Sequence, residues 1–301
     1  TGMRNTAVGY QALASNKAND NVAVGINTLY SNTTGFSNVA VGYSTLYANT
    51  TGSYNVALGQ QSLGANTTGQ YNVGVGYHAL RCNTVGQFNV GVGYHALKAN
   101  TTASYNVGVG YQALEDNTTG EFNVAIGYGA LRENTVGKEN TALGYYALRK
   151  TTTGIRNVAI GKQAMVNNLT GINNVAIGKD AMTNAVSANQ NVAIGSAALY
   201  ANANGHNNVA VGTGTLSFNT TGQKNIAIGV LTADCVPIIL FDSKSQTIGC
   251  IHSGWKGSIS GIIENTLKIF DKINSSNNLI ASVGPCIGKN SYEVGKELLK
   301  K

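Results

Sequence analysis

Along residues 1–229 apolar and polar positions fall into a unit that repeats. The first complete block is Asn21-Val22-Ala23-Val24-Gly25, and its leading Asn returns every 17 residues from Asn38 to Asn225. A variant, Asn5 to Gly9, precedes it at a step of 16, so there are 14 starts. After each block come Tyr-x-Ala-Leu, two free positions, Asn-Thr-Thr-Gly and two more free positions. A fixed step of this length predicts one structural unit stacked on copies of itself.

Comparing the copies assigns the positions. Eight residues after the leading Asn stands Leu or Met, as at Leu29, Leu80, Leu97, Leu114 and Met165. A position so restricted is a core position. Val22 and Val24 give the alternation of a half-buried strand. The Ala or Gly between them implies close packing, against the opposite wall or another chain. Gly in fifth place at all 14 starts predicts a corner with positive φ or no room for Cβ. The run Tyr77, Tyr94, Tyr111, Tyr128 and Tyr145 predicts an exposed ladder of rings. Asn-Thr-Thr-Gly is turn chemistry, and the two Asn columns predict amide ladders. Together these predict a mainly β fold: a parallel β-solenoid, or β-roll, over residues 1–229 with coils ~4.8 Å apart. The Tyr-x-Ala-Leu segment leaves open a short helical turn instead of extended chain.

Residues 230–301 change character. The pattern predicts strands at 236–241, 247–252 and 279–283, and helices at 258–273 and 292–301. This is the patterning of a partial α/β domain. The seam at Gly229 to Leu231 has no linker. Two readings follow: the solenoid stands in for a missing half-domain, or the gene is rearranged there. The opening Thr1-Gly2 matches the end of a repeat turn, so a longer array is expected upstream.

Composition sharpens this modestly. The net charge of +7 is spread thinly, which describes a mildly basic surface, and no nucleic-acid partner is expected. No apolar run is long enough to span a membrane, and no signal peptide is visible. Four cysteines without a CxxC spacing suit a reduced compartment. His78 and His95 stand 17 apart, as a metal pair or an exposed stacked pair; no further ligand is evident, which favours the second. Arg81, Lys98, Glu115, Arg132 and Arg149 share a column. It would suit a polyanion, but Glu115 interrupts it and favours a solvated face. The Asn-Thr-Thr triplets match glycosylation acceptors, though turn formation explains them.

The candidate chemistry lies in residues 230–301. Cys235 precedes the first strand there and His252 ends the second. A thiol and an imidazole meeting at neighbouring strand ends would be metal ligands or a nucleophile–base pair, against the commoner buried Cys and hydrogen-bonded His. The motifs Thr-Ala-Asp-Cys-Val-Pro (232–237), His-Ser-Gly-Trp-Lys-Gly (252–257), Gly-Pro-Cys-Ile-Gly (284–288) and Tyr-Glu-Val-Gly (292–295) resemble the YfiH-type, or laccase-domain, purine nucleoside phosphorylases. The resemblance implies phosphorolysis of purine nucleosides, deamination of adenosine, and zinc or copper held by two His and one Cys. Cys235 and His252 match two ligands and would be the catalytic and metal residues. The third belongs to an upstream Gln-Val-His segment that this chain lacks, and His206 does not match it. Ser253 and Lys256 replace the family's usual Ala and Arg, and a missing guanidinium fork weakens phosphate contact. The partners implied are a purine nucleoside and phosphate. The repeats resemble the Asn-x-Val-Ala-Ile-Gly head repeats of trimeric autotransporter adhesins and phage tail-fibre arrays. That likeness implies a left-handed roll, a homotrimer, and a structural or adhesive role with an inert tail. Location differs between these readings, cytoplasmic for the enzyme and cell surface or virion for the fibre.

Overall fold

The computed structural model describes residues 2–229, 236–242, 247–253, 261–274 and 279–283. Its contacts divide the chain into two compact units, Thr1–Ala227 and Ile228–Lys301. The first is a β-solenoid. Fourteen three-residue strands, from β1 (Thr6–Val8) to β14 (Ile226–Ile228), form one parallel sheet in sequence order. Residues pair at the repeat step, as in Val90↔Val107 and Val107↔Val124. Backbone bonds between coils continue beyond the strands, for example Leu97 N to Ala113 O at 2.9 Å and Cys82 N to Lys98 O at 3.0 Å. Each coil thereby satisfies much of its backbone through its neighbours.

The core is a double file. Leu29 through Leu199, with Met165 and Met182 in the same column, are fully buried, and the strand-centre Ala or Gly column faces them. This decides the direction of the alternation. The small residue points inward, while the flanking Val, Leu and Ile stay half-buried or exposed, as at Ile126 (40%). The reason is width. A Cβ added at Gly108 would come within 3.2 Å of Leu97 Cγ, so the interior between strand and leucine wall has room for a methyl group and little more. The Ala or Gly column therefore packs against the rod's own wall and is closed to another chain.

Tyr-x-Ala-Leu is neither strand nor helix. It is a run of turns with positive φ at the x residue and at the leucine, as at His95 (57°) and Leu97 (53°). A core leucine in the left-handed region is uncommon. Here the bond from Leu97 N–H to Ala113 O in the next coil, and that from Asn100 N–H to Leu97 O, hold it there. The fifth-position glycines behave as expected: Gly93 has φ 133°, and a Cβ there would lie 2.4 Å from Gly110 O. The turn glycines differ. Gly120 needs no positive φ, but a Cβ would meet Gly137 O at 2.2 Å, so close coil approach is what excludes a side chain.

Both amide ladders form. Asn123 Nδ2 donates to Asn106 Oδ1 at 3.3 Å, and Asn49 Nδ2 to Asn32 Oδ1 at 2.8 Å, all fully buried. The Asn-Thr-Thr asparagines from Asn32 to Asn117 are thus structural, with side chains out of reach of a glycan-transferring enzyme in the folded rod. The tyrosines from Tyr77 to Tyr145 stack at 4.8–5.3 Å.

The second unit contains three described strands and one helix. β15 (Val236–Asp242) lies between β16 (Thr247–Ser253) and β17 (Leu279–Val283), antiparallel to both. Helix α1 spans Ile262–Asn274, with Glu264 in its first turn, where an acid complements the helix dipole. The expected helix at 292–301 lies outside the described residues.

Candidate functional site

The antiparallel register of β15 with β16 brings the start of one beside the end of the other. Val236 pairs with Ser253, and Pro237 with His252. A two-strand turn produces this arrangement because residues equidistant from the turn must oppose each other. His252 is therefore across the sheet from the strand that Cys235 precedes. Cys235 itself lies outside the described residues, as do the Gly284–Gly288 and Tyr292–Gly295 motifs.

A metal requires more donors than these two positions supply. Thiolate and imidazole suit zinc or copper, and such sites use three or four protein ligands. Among the described residues no group of three or more His, Cys, Asp or Glu is gathered. The donor chemistry fits zinc or copper, and among the described residues the donor set is not complete.

The solenoid holds a separate charged cluster. His78 and His95 do stack, with ring centroids 5.4 Å apart and planes within 5°. They are half-buried rather than exposed, because the Tyr77 and Tyr94 rings cover them at 3.8 and 4.0 Å. Burial, then the neighbouring Arg81, His95 and Lys98, push the His78 imidazole down to about 4. Glu115 is the centre of the cluster and is only 7% exposed. It takes His95 Nδ1 at 2.9 Å, Arg132 Nε at 3.0 Å and Lys98 Nζ at 4.0 Å. The column expected to be a solvated face is thus an ion-paired seam around one buried carboxylate. The signal in the sequence was the sign change itself: one acid between cations a coil apart is a pairing pattern. Burial and the neighbouring Glu115 raise the Asp116 carboxyl.

Comparison with known proteins bears on the C-terminal part. The family described as multi-copper polyphenol oxidoreductase laccase matches residues 178–301. That span takes in three coils of the solenoid, whereas alignments with individual relatives are shorter. A purine nucleoside phosphorylase of Rickettsia conorii is 49% identical over 72 residues, 24% of this chain and 29% of the relative. One from Bacteroides thetaiotaomicron is 39% identical over 71 residues, 23% of this chain and 26% of the relative. The YfiH purine nucleoside phosphorylase of Escherichia coli is 35% identical over 69 residues, 23% and 28%. The chain thus spans less than a third of the length of these curated relatives. No solved structure matches it. What is established is a laccase-domain, YfiH-like resemblance joined to a β-solenoid. Among the described residues no helix is long and apolar enough to cross a membrane.

Proposed function

We propose that residues 230–301 form a partial α/β domain related to the purine nucleoside phosphorylases, impaired as an enzyme, and that residues 1–229 are its structural scaffold. The observation that supports this is the strand register, with His252 opposite Pro237, the residue two after Cys235 in the sequence. In this reading His252 and Cys235 are the two remaining ligands of a zinc or copper site and the residues at the reacting centre. Purine nucleosides and phosphate are the substrates, by similarity to relatives so named. The bound metal would supply Lewis-acid chemistry. With one ligand missing, no step is assigned to it.

The assay is release of ribose 1-phosphate and free base from inosine and phosphate. The full chain with added zinc or copper should fall below a complete relative by more than the roughly 10–100-fold that loss of an outer-shell partner costs. Activity equal to the relative's, and lost in Cys235→Ala, would overturn the impaired reading.

A second reading, a structural or adhesive fibre, is favoured by the outer surface of the sheet. Phe122, Val124, Ile126 and Tyr128 alternate along one coil and all point away from the core, with Phe122 at 52% and Tyr128 at 42% exposure. The same columns run through neighbouring coils, and the Phe122 column is itself a stack of rings from Tyr54 to Phe122. All four positions are apolar in the four coils from Tyr71 to Tyr128, roughly 400 Å², within the range of the largest patch that a monomer leaves bare. A homotrimer would cover this face. Light scattering should give three times the mass of one chain, and Ile126→Glu should shift it to the monomer. A monomer mass for the unmutated chain at high concentration would remove the trimer.

A further inference from the structure

The residue after each core leucine forms a column: Tyr30, Tyr47, Gly64, Arg81, Lys98, Glu115. The rings of Tyr30 and Tyr47 stack at 5.3 Å with planes within 7°. Coils repeat at ~4.8 Å, so each side chain in the column fills one step. Gly64 leaves a step empty. Two steps, about 10 Å, separate the level of Tyr47 from that of Arg81, which is stacking distance on both sides of one flat ring. This gap belongs to an open cleft of about 590 Å³ whose lining includes Asn27, Tyr43, Tyr47, Gln61 and Arg81.

Its polar groups are uncommitted. Lys98, Arg132 and Arg149 in the same column each face a carboxylate. Arg81 has no ion pair among the described residues, and a free guanidinium plane stacks well on a π face. The Gln61 amide belongs to the same coil as Gly64 and lines the cleft, where it offers a donor and an acceptor beside the gap. A purely apolar ring would leave that amide unused, and a saccharide would present no π face to the guanidinium.

We propose that this notch binds one planar heteroaromatic ring of the nucleobase class, inserted in the column between Tyr47 and Arg81. The bound ring replaces the side chain that Gly64 lacks. Because the notch is a single step deep, the ligand is one base, as a nucleoside presents it.

Adenosine is the probe, titrated into the full chain and followed by ligand proton NMR. Two stacking faces and one hydrogen bond correspond to a Kd on the order of 0.1–1 mM. The base protons should shift upfield from the Tyr47 ring current. Gly64→Tyr fills the step with the residue found at Tyr30 and Tyr47. Its Cβ would lie 3.1 Å from Gln61 O, close but relieved by a shift of a few tenths of an ångström. That variant should bind at least tenfold more weakly, as should Arg81→Ala. Should Gly64→Tyr lose its circular dichroism signal, Arg81→Ala and Tyr47→Ala carry the test. Gly64→Tyr and Arg81→Ala should leave any ribose 1-phosphate release by the full chain unchanged, which separates this notch from the site proposed in residues 230–301. Absence of binding at several millimolar adenosine, or unchanged binding in Gly64→Tyr and Arg81→Ala, would overturn the proposal.

Discussion

Leu97→Asp is expected to cost roughly 3–5 kcal/mol, because it places an unpaired carboxylate in a fully buried position. Leu97 fills the space beside the strand-centre glycines, and its backbone already sits at φ 53°. The effect should be local before it is global. In a stacked array, stability is a sum of coil terms and neighbour interfaces, so breaking one coil splits the rod into two shorter arrays. Urea unfolding followed by circular dichroism should show a lower midpoint and a broadened or double transition. Leu97→Met is the control: Met165 and Met182 occupy the same column, and such a swap costs under about 1.5 kcal/mol. An Asp variant within about 0.5 kcal/mol of the unmutated chain would mean that the leucine column does not face the core.

Asn106→Ala should cost roughly 2–4 kcal/mol through the amide ladder. Asn106 Oδ1 accepts from the Asn123 backbone N–H at 3.0 Å, and Asn106 Nδ2 donates to Gly120 O at 2.9 Å. The Gly120 carbonyl keeps a second donor in Asn117 Nδ2, but the Asn123 N–H loses its acceptor in a buried place. An orphaned buried donor bears its full desolvation penalty, which makes this larger than the loss of a surface bond. Amide hydrogen exchange at Asn123 should accelerate well beyond that of its neighbours. Thr119→Ala, at an exposed position of the same turn, should stay within about 0.5 kcal/mol of the unmutated chain. If the two variants are equally stable, the ladder contributes nothing and the Asn columns need another explanation.

These predictions show how far the sequence could be read. Leu97 was legible as buried, and Asn106 as a rung of an amide ladder, because every coil repeats them, and a column that tolerates one residue type has one environment. The Tyr77 to Tyr145 ladder was legible because side chains one period apart must lie one coil apart. The direction of Val and Ile was not. Alternation says that successive residues face opposite ways, but it cannot say which way is in. Usual practice puts the larger apolar residue inside, and here the leucine wall has already filled that space. Glu115 was misread for a related reason. Its column was visible, whereas its burial depends on how the His95, Lys98 and Arg132 side chains close over it. The gap at Gly64 was present in the sequence too, as one small residue in a column of large ones. It becomes a cleft only once Tyr47 and Arg81 are known to bracket it.

The candidate site in residues 230–301 divides in the same way. Its residue types, Cys235 and His252, come from motifs in the sequence, and the strand register that relates them comes from the fold. The sequence by itself determined the period, and with it the parallel register, the neighbours of every side chain along the rod, and the identity of the core column. A strict repeat leaves the chain no other way to satisfy its backbone and bury its leucines in every coil at once. Only the tertiary structure decided what lies across the rod: the narrow interior that turns Val and Ile outward, the left-handed leucines, and the closure of the seam around Glu115. Those depend on distances between segments of one coil, which a periodic pattern does not encode.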